Sequence, residues 1–391
     1  MDHQNQSSQS GIVIIGSGLA GYTVIREIRK LDKTTAITLV TREPGYFYSK
    51  PMLSTALASQ KSPEQLASTN AEGMAAQLEL TILGETDVSA IDTASQTIET
   101  SKGTIAYGKL VLGLGADQIR LPLEGNATDA VMTVNDLEEY AHFRKALEGK
   151  KRIAILGAGL IGCEFANDLV SGSYEVDVID LAPQALGHLL PEAAAQMLQL
   201  KLSAAGVRWH FSTTVKSIDR NGDVLSITLA NGSVINSDVF LSAVGLRPRL
   251  DLAKAAGIAT GAGITVNRHL ETSAKNVYAI GDCAEVDGLV LPYVMPIMQA
   301  ARALAPNLLG QVTMLTYPAM PVMVKTPALP TIVSPPAKGA VGDWKMNAIE
   351  DGLEARFESS DGKLLGFALL GSATAQRGSF TKELPPILSS E

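Results

Sequence analysis

The sequence predicts an α/β protein with two Rossmann-like, doubly wound nucleotide-binding domains and a smaller C-terminal α+β domain. Three observations carry that reading. Gly11 to Gly21 reads Gly-Ile-Val-Ile-Ile-Gly-Ser-Gly-Leu-Ala-Gly, and Arg152 to Glu164 reads Arg-Ile-Ala-Ile-Leu-Gly-Ala-Gly-Leu-Ile-Gly-Cys-Glu. Each is a short aliphatic run that ends in Gly-x-Gly-x-x-Gly and passes into a helical pattern. Such glycines permit a sharp turn, close approach of backbone to a pyrophosphate and close packing of helix on strand, with the helix N-terminus facing the phosphates. Second, Leu110 to Ala116 and Asp238 to Gly245 are both buried-strand patterns that reach a glycine, so each module closes alike, as a duplicated architecture does. Third, the prolines at 318, 321, 327, 330, 335 and 336 mark a change of character after Gly310 that suits edge strands and loops.

The composition narrows the function. The chain has 391 residues, enough for two or three domains, and a net charge of −8 that offers no basic face for nucleic acid. Its two cysteines, Cys163 and Cys283, lie far apart with no metal spacing, which suits a reducing cytoplasm. No metal site is expected. Residues 1–10 are polar and read as a flexible tail, not a signal peptide. No apolar run is long enough to insert in a membrane.

In chain order, Ile12 to Ile15 form a buried strand, Leu19 to Leu31 a helix and Ala36 to Val40 a second strand. Thr41-Arg42-Glu43 follow at its C-terminal end, where a carboxylate takes the ribose hydroxyls of an adenine dinucleotide. Lys50 sits before Pro51 and beside aromatics, and reads either as a site lysine or as a solvated loop charge. Thr81 to Val88 is expected as one strand, and Gln96 to Thr104 with Lys109 to Leu114 as an antiparallel excursion that returns to the parallel sheet. Asp136 to Leu147 is helical. Glu175 to Ile179 is a strand ending at Asp180, and the absence of a following Arg or Lys favours free ribose hydroxyls, hence NADH over NADPH. Ala193 to Ala205 is a helix and Arg208 to Thr213 a strand. Asn221-Gly222-Asp223 and Asn231-Gly232-Ser233 punctuate a meander.

Asn276 to Ala284 is one more buried strand, ending in Gly281-Asp282, a carboxylate well placed for a ribitol or ribose hydroxyl. A helix from about Pro296 to Leu309 then aims its N-terminal dipole at the same edge. Gly352 to Ser359 and Leu364 to Leu370 form a hairpin across Ser360-Asp361-Gly362-Lys363. Lys325 reads either as a site lysine or as an edge-strand charge. The expected domains are 11–115 with 246–311 for FAD, 116–245 for NAD, and 312–391.

Gly16–Gly21, Gly157–Glu164 and Ile280-Gly281-Asp282-Cys283-Ala284 resemble the FAD-dependent pyridine nucleotide-disulfide oxidoreductase superfamily, whose nucleotide domains are of glutathione-reductase type. Within it, Tyr48 to Thr55, Gly162 to Leu169, Ser242 to Arg249, Tyr293 to Pro296 and Val324 to Ala328 are similar to the rubredoxin reductases of alkane-hydroxylating systems. The resemblance implies FAD contacts from Gly16, Ser17, Gly18, Leu19, Ala20, Gly21, Arg42, Glu43, Lys50, Val88, Glu164, Asp282, Val294 and Lys325. It implies NADH over Gly157, Gly159, Leu160, Ile161 and Gly162, with Asp180 on its ribose and Gly245 nearby. Lys50 and Glu164 are expected to pair beside the flavin as the catalytic residues, and rubredoxin is the expected acceptor.

The ferredoxin reductases of oxygenase systems differ: Lys50 and Thr55 stand where their Arg-Pro-Pro-Leu-Ser-Lys has arginine and lysine. A ferredoxin reductase or an NADH oxidase are the alternatives. Thiol-dependent chemistry needs a cysteine in the first domain, and none precedes Cys163, so both cysteines read as packing residues. Docking an acidic rubredoxin calls for a basic patch, with Arg302, Lys325, Lys338 and Lys345 as candidates. Monomer and homodimer both stay open.

Overall fold

The computed structural model describes residues 11–389, so the expected tail at 1–10 lies outside the described residues. The first sheet has five parallel strands in the order Val277–Ala279, Lys109–Leu112, Ile12–Ile15, Ile37–Val40, Thr81–Leu83. Its central strands are aliphatic and buried on both faces, as a parallel sheet covered by helices requires. Helices Leu19–Leu31 and Val294–Leu308 pack against each other beside it. The edge strand Val277–Ala279 arrives from beyond the second glycine motif, so that sheet is completed only after the chain has left and come back.

The second parallel sheet runs Val207–His210, Glu175–Ile179, Arg152–Leu156, Val239–Ser242, Val131–Met132. Val215–Asn221, Val224–Leu229 and Val234–Ser237 form the meander expected around the two Asn-Gly turns. A two-stranded ribbon, Ala116–Gln118 against Leu246–Pro248, carries the chain out of the first sheet and back. The third sheet is antiparallel: Val322–Val324, Thr331–Ser334, Leu364–Gly371, Gly352–Glu358, Asp343–Ile349. One face, with Val324, Val333, Leu353, Ala355, Ala368 and Leu370, joins the core of the second unit. The other, with Phe367 and Leu369, is covered by Phe380 and Leu384.

Three expectations are corrected. Thr81 to Val88 is two strands, Thr81–Leu83 and Val88–Asp92, because Thr86 turns inward and its backbone N–H bonds to the Thr41 carbonyl. The strand expected over Arg208 to Thr213 is Val207–His210; beyond it Ser212 adopts φ +55°. The late helix begins at Val294, two residues before Pro296, which fits the first turn of a helix because its missing N–H has no partner there anyway. No helix of the described residues is long and apolar enough to cross a membrane, and no group of three or more metal-ligating side chains occurs among them.

Candidate functional site

Both glycine motifs are built alike. Gly16 (φ +109°) and Gly157 (φ +110°) turn each chain from strand to helix in a conformation a side chain disfavours. Gly18 and Gly159 face open space and are the N-caps of their helices, with no side chain capping the free N–H groups. A Cβ on Gly21 would sit 2.0 Å from the Gly16 carbonyl oxygen, and one on Gly162 would sit 1.8 Å from that of Gly157. Bare backbone therefore lines both helix mouths, a cradle that suits a pyrophosphate. Ser17 bonds Thr41 at 2.9 Å, while Leu160 and Ile161 remain partly exposed over the second mouth.

At the C-terminal edge of the first sheet, Glu43 follows Thr41, whose hydroxyl accepts the Glu43 N–H at 3.2 Å. Burial pushes the Glu43 carboxyl up, Asp136 adds to that, and Lys50, Arg42 and Arg249 oppose it. Arg42 lies at the exposed rim with its guanidinium 3.9 Å from Asp117. Val88 is half-buried where the 88–92 strand leaves the adjoining turn. Lys50 opens a short 3-10 helix, Lys50–Thr55. Its ammonium pKa is lowered by burial, which outweighs the nearby carboxylates Asp282, Glu43 and Asp136. Burial likewise raises Asp282, against Lys50 and Arg249. Gly281 (φ +82°) packs so closely that a Cβ there would meet the Ala20 Cβ at 2.9 Å, which brings Asp282 to the mouth of the first helix. The 294–308 helix starts close by with no side-chain cap, and Val294 is 40% exposed at its tip.

The expected Lys50–Glu164 pair does not form. Lys50 Nζ instead donates to Asn135 Oδ1 at 2.6 Å, and Asn135 donates onward to the Ala116 carbonyl at 2.9 Å. Glu164, 1% exposed, takes its cation from the third unit: Lys325 Nζ lies 2.6 Å from Oε2. Lys325 also donates from Nζ to Ser54 Oγ at 2.8 Å and to the Pro51 carbonyl, and from its backbone N–H to Glu164 Oε1 at 3.0 Å. The Ser54 hydroxyl donates to Glu164 Oε2 at 2.5 Å. Lys325 is thus an internal bridge and not part of a docking patch. Lys345 is exposed and pairs with Glu358 at 2.6 Å.

At the second mouth, Asp180 accepts backbone N–H groups from Ala158 and, at 2.7 Å, from Ala182. Its carboxylate is fixed against the glycine turn, at the head of a cleft lined by Leu181, Pro183, Gln184, His188 and Glu192. The lining has acids and no Arg or Lys. Gly245 (φ +112°) lies exposed past the 239–242 strand. Cys163 and Cys283 are fully buried and free; burial raises both thiols, Cys283 to about 11, so neither is a ready thiolate.

Residues 10–305 match the model of the pyridine nucleotide-disulphide oxidoreductases. The chain belongs to that family. Its members use FAD and NAD(H), and the two bare glycine cradles suit both dinucleotides. Residues 314–384 match the rubredoxin binding C-terminal domain. A rubredoxin-NAD(+) reductase of Alcanivorax borkumensis is 46% identical over 96% of this chain and 99% of its own. One from Acinetobacter baylyi is 46% identical over 97% and 99%. Among solved structures, a ferredoxin reductase from Rhodopseudomonas palustris superposes with a TM-score of 0.87 at 26% identity, covering 96% of this chain and 95% of its own.

Asn135 lies in no motif of the sequence, and Ser54, Asn167, Asp168 and Arg249 lie within the resembling stretches with no site role implied for them. A signal existed for two of them: Asn167 and Asp168 follow Glu164 at helical spacing in an apolar helix, so all three turn one polar edge inward.

Proposed function

We propose that the chain is an NADH-dependent oxidoreductase that passes electrons through FAD to rubredoxin, and onward to a hydroxylase of the alkane type. The contact of Lys325 with Glu164 and Ser54 carries this reading, because it joins the segment matched as rubredoxin-binding to both nucleotide-binding units. In this reading residues 11–115 with 246–311 hold FAD, 116–245 hold NADH, and 312–391 serve the acceptor. Two free, buried cysteines suit a cytoplasmic protein.

FAD, when bound, accepts a hydride from nicotinamide and releases electrons singly to an iron protein. The residues supply geometry and charge. Gly16 to Gly21 present backbone N–H groups to one pyrophosphate, Gly157 to Gly162 to the other. Glu43 and Asp180 accept ribose hydroxyls, with Arg42, Val88 and Gly245 framing the two ends. Asp282 accepts from the polyol chain. Lys50, held by Asn135, would supply positive charge to a bound ring, Lys325, its charge balanced by Glu164, would supply N–H donors, and the uncapped helix at Val294 would add its dipole where negative charge accumulates. No side chain has to act as a general base.

The test is direct. The purified protein should carry one FAD per chain, and anaerobic NADH should bleach it stoichiometrically. Protein that stays colourless when FAD is added overturns the reading.

A further inference from the structure

The helix Leu160–Ser171 buries three polar side chains in succession along one edge: Glu164, Asn167 and Asp168. Each grips backbone from another part of the chain. Asp168, 3% exposed, accepts the Leu57 N–H at 3.1 Å and the Ala58 N–H at 2.8 Å. Asn167 Oδ1 accepts the Ala328 N–H at 3.0 Å, and Glu164 Oε1 accepts that of Lys325. The helix therefore holds both ends of the turn 325–328 and the tail of the segment 50–58.

We infer that Asn167 and Asp168 are positioning residues that assemble the Glu164–Ser54–Lys325 contact. The segment 50–58 has no strand partner: Lys50 and Pro51 are held by Asn135 and Lys325, Leu53 and Ala56 sit in the core, and Ser54, Leu57 and Ala58 are hydrogen-bonded to this helix. Releasing Leu57 and Ala58 loosens the turn that presents Ser54 to Glu164. Releasing Ala328 frees the turn that aims Lys325. Among the described residues Asp168 has no ion-pair partner; Arg144 on the neighbouring helix and Lys325 face it only at a distance. A buried carboxylate without a cation is costly, and its interaction here is with the two amides. An apolar side chain would fill the same space but leave those amides unbonded.

The kinetic readout rests on the proposed hydride transfer; the structural readout does not. In the full-length, FAD-loaded protein, Asp168→Ala should slow flavin reduction at saturating NADH about tenfold, and Asp168→Asn, which keeps one acceptor oxygen, should slow it less. The NADH concentration for half-maximal rate should stay within about twofold, because the second cradle is untouched. Hydrogen exchange should rise in peptides covering 53–61 for Asp168→Ala and 323–330 for Asn167→Ala, with residues 12–40 unchanged. Wild-type rates with wild-type exchange overturn the inference. If Asp168→Ala does not fold, Asp168→Asn carries the kinetics, and rapid exchange at Leu57, Ala58 and Ala328 in the wild-type protein overturns the clamp. A protein that takes no hydride from NADH overturns the proposed function instead, and the exchange pattern alone then decides the clamp.

Discussion

Lys325 Nζ lies 2.6 Å from Glu164 Oε2, although 161 residues separate the two in the chain. The pair ties the C-terminal sheet to the second glycine helix, and Ser54 ties both to the first unit. Removing the cation leaves a carboxylate with 1% exposure unpaired. Lys325→Met is therefore expected to lose about 3 kcal/mol of stability. Lys325→Met combined with Glu164→Gln should lose less than Lys325→Met alone, because no charge is then stranded. Urea unfolding of wild type and the two variants measures this, and equal midpoints for Lys325→Met and wild type would contradict the pairing.

Glu164→Gln keeps the shape of the side chain and removes its charge. With Lys325 and Ser54 no longer fixed, flavin reduction by NADH should slow about tenfold while FAD stays bound. Stopped-flow absorbance reads both quantities, and an unaltered rate refutes the role given to Glu164.

Asp180 stands fixed by two backbone amides in a cleft whose lining has no Arg or Lys. A 2′-phosphate there meets a carboxylate. Replacing Asp180 by Asn should lower the NADH-to-NADPH ratio of kcat/KM by about tenfold or more. A ratio that does not move places the discrimination elsewhere.

Burial raises the Asp168 carboxyl from 3.8 to about 6. Between those values the folded protein keeps a proton that the unfolded chain releases. This group's contribution to stability is complete below the lower value and is lost as pH rises through the upper one. The stability of Asp168→Asn relative to wild type should therefore improve between pH 4 and 7, by no more than about 3 kcal/mol. Denaturant melts across that range check it; a pH-independent difference rules it out.

What was legible in the sequence was local. Ile12–Ile15 and Arg152–Leu156 lie where aliphatic runs meet glycine turns, because the turn conformation and the apolar pattern there are set by neighbouring residues. The Lys50–Glu164 pairing failed because proximity along a resemblance says nothing about which lysine a buried carboxylate meets. Lys325 wins, since its turn is anchored to the same helix through Ala328. The strand Asp343–Ile349 was also missed: it is an edge strand with most of its side chains exposed, so it lacks the alternation that marks a strand. The break at Gly84 to Asp87 follows from the Thr86–Thr41 backbone contact, which no local pattern announces.

One comparison tests the route of electrons from NADH to rubredoxin most directly. With NADH as donor, the holoprotein is given rubredoxin or a ferredoxin at equal concentration. Rubredoxin should be reduced at least about tenfold faster. Equal rates, or a preference for ferredoxin, would contradict the account.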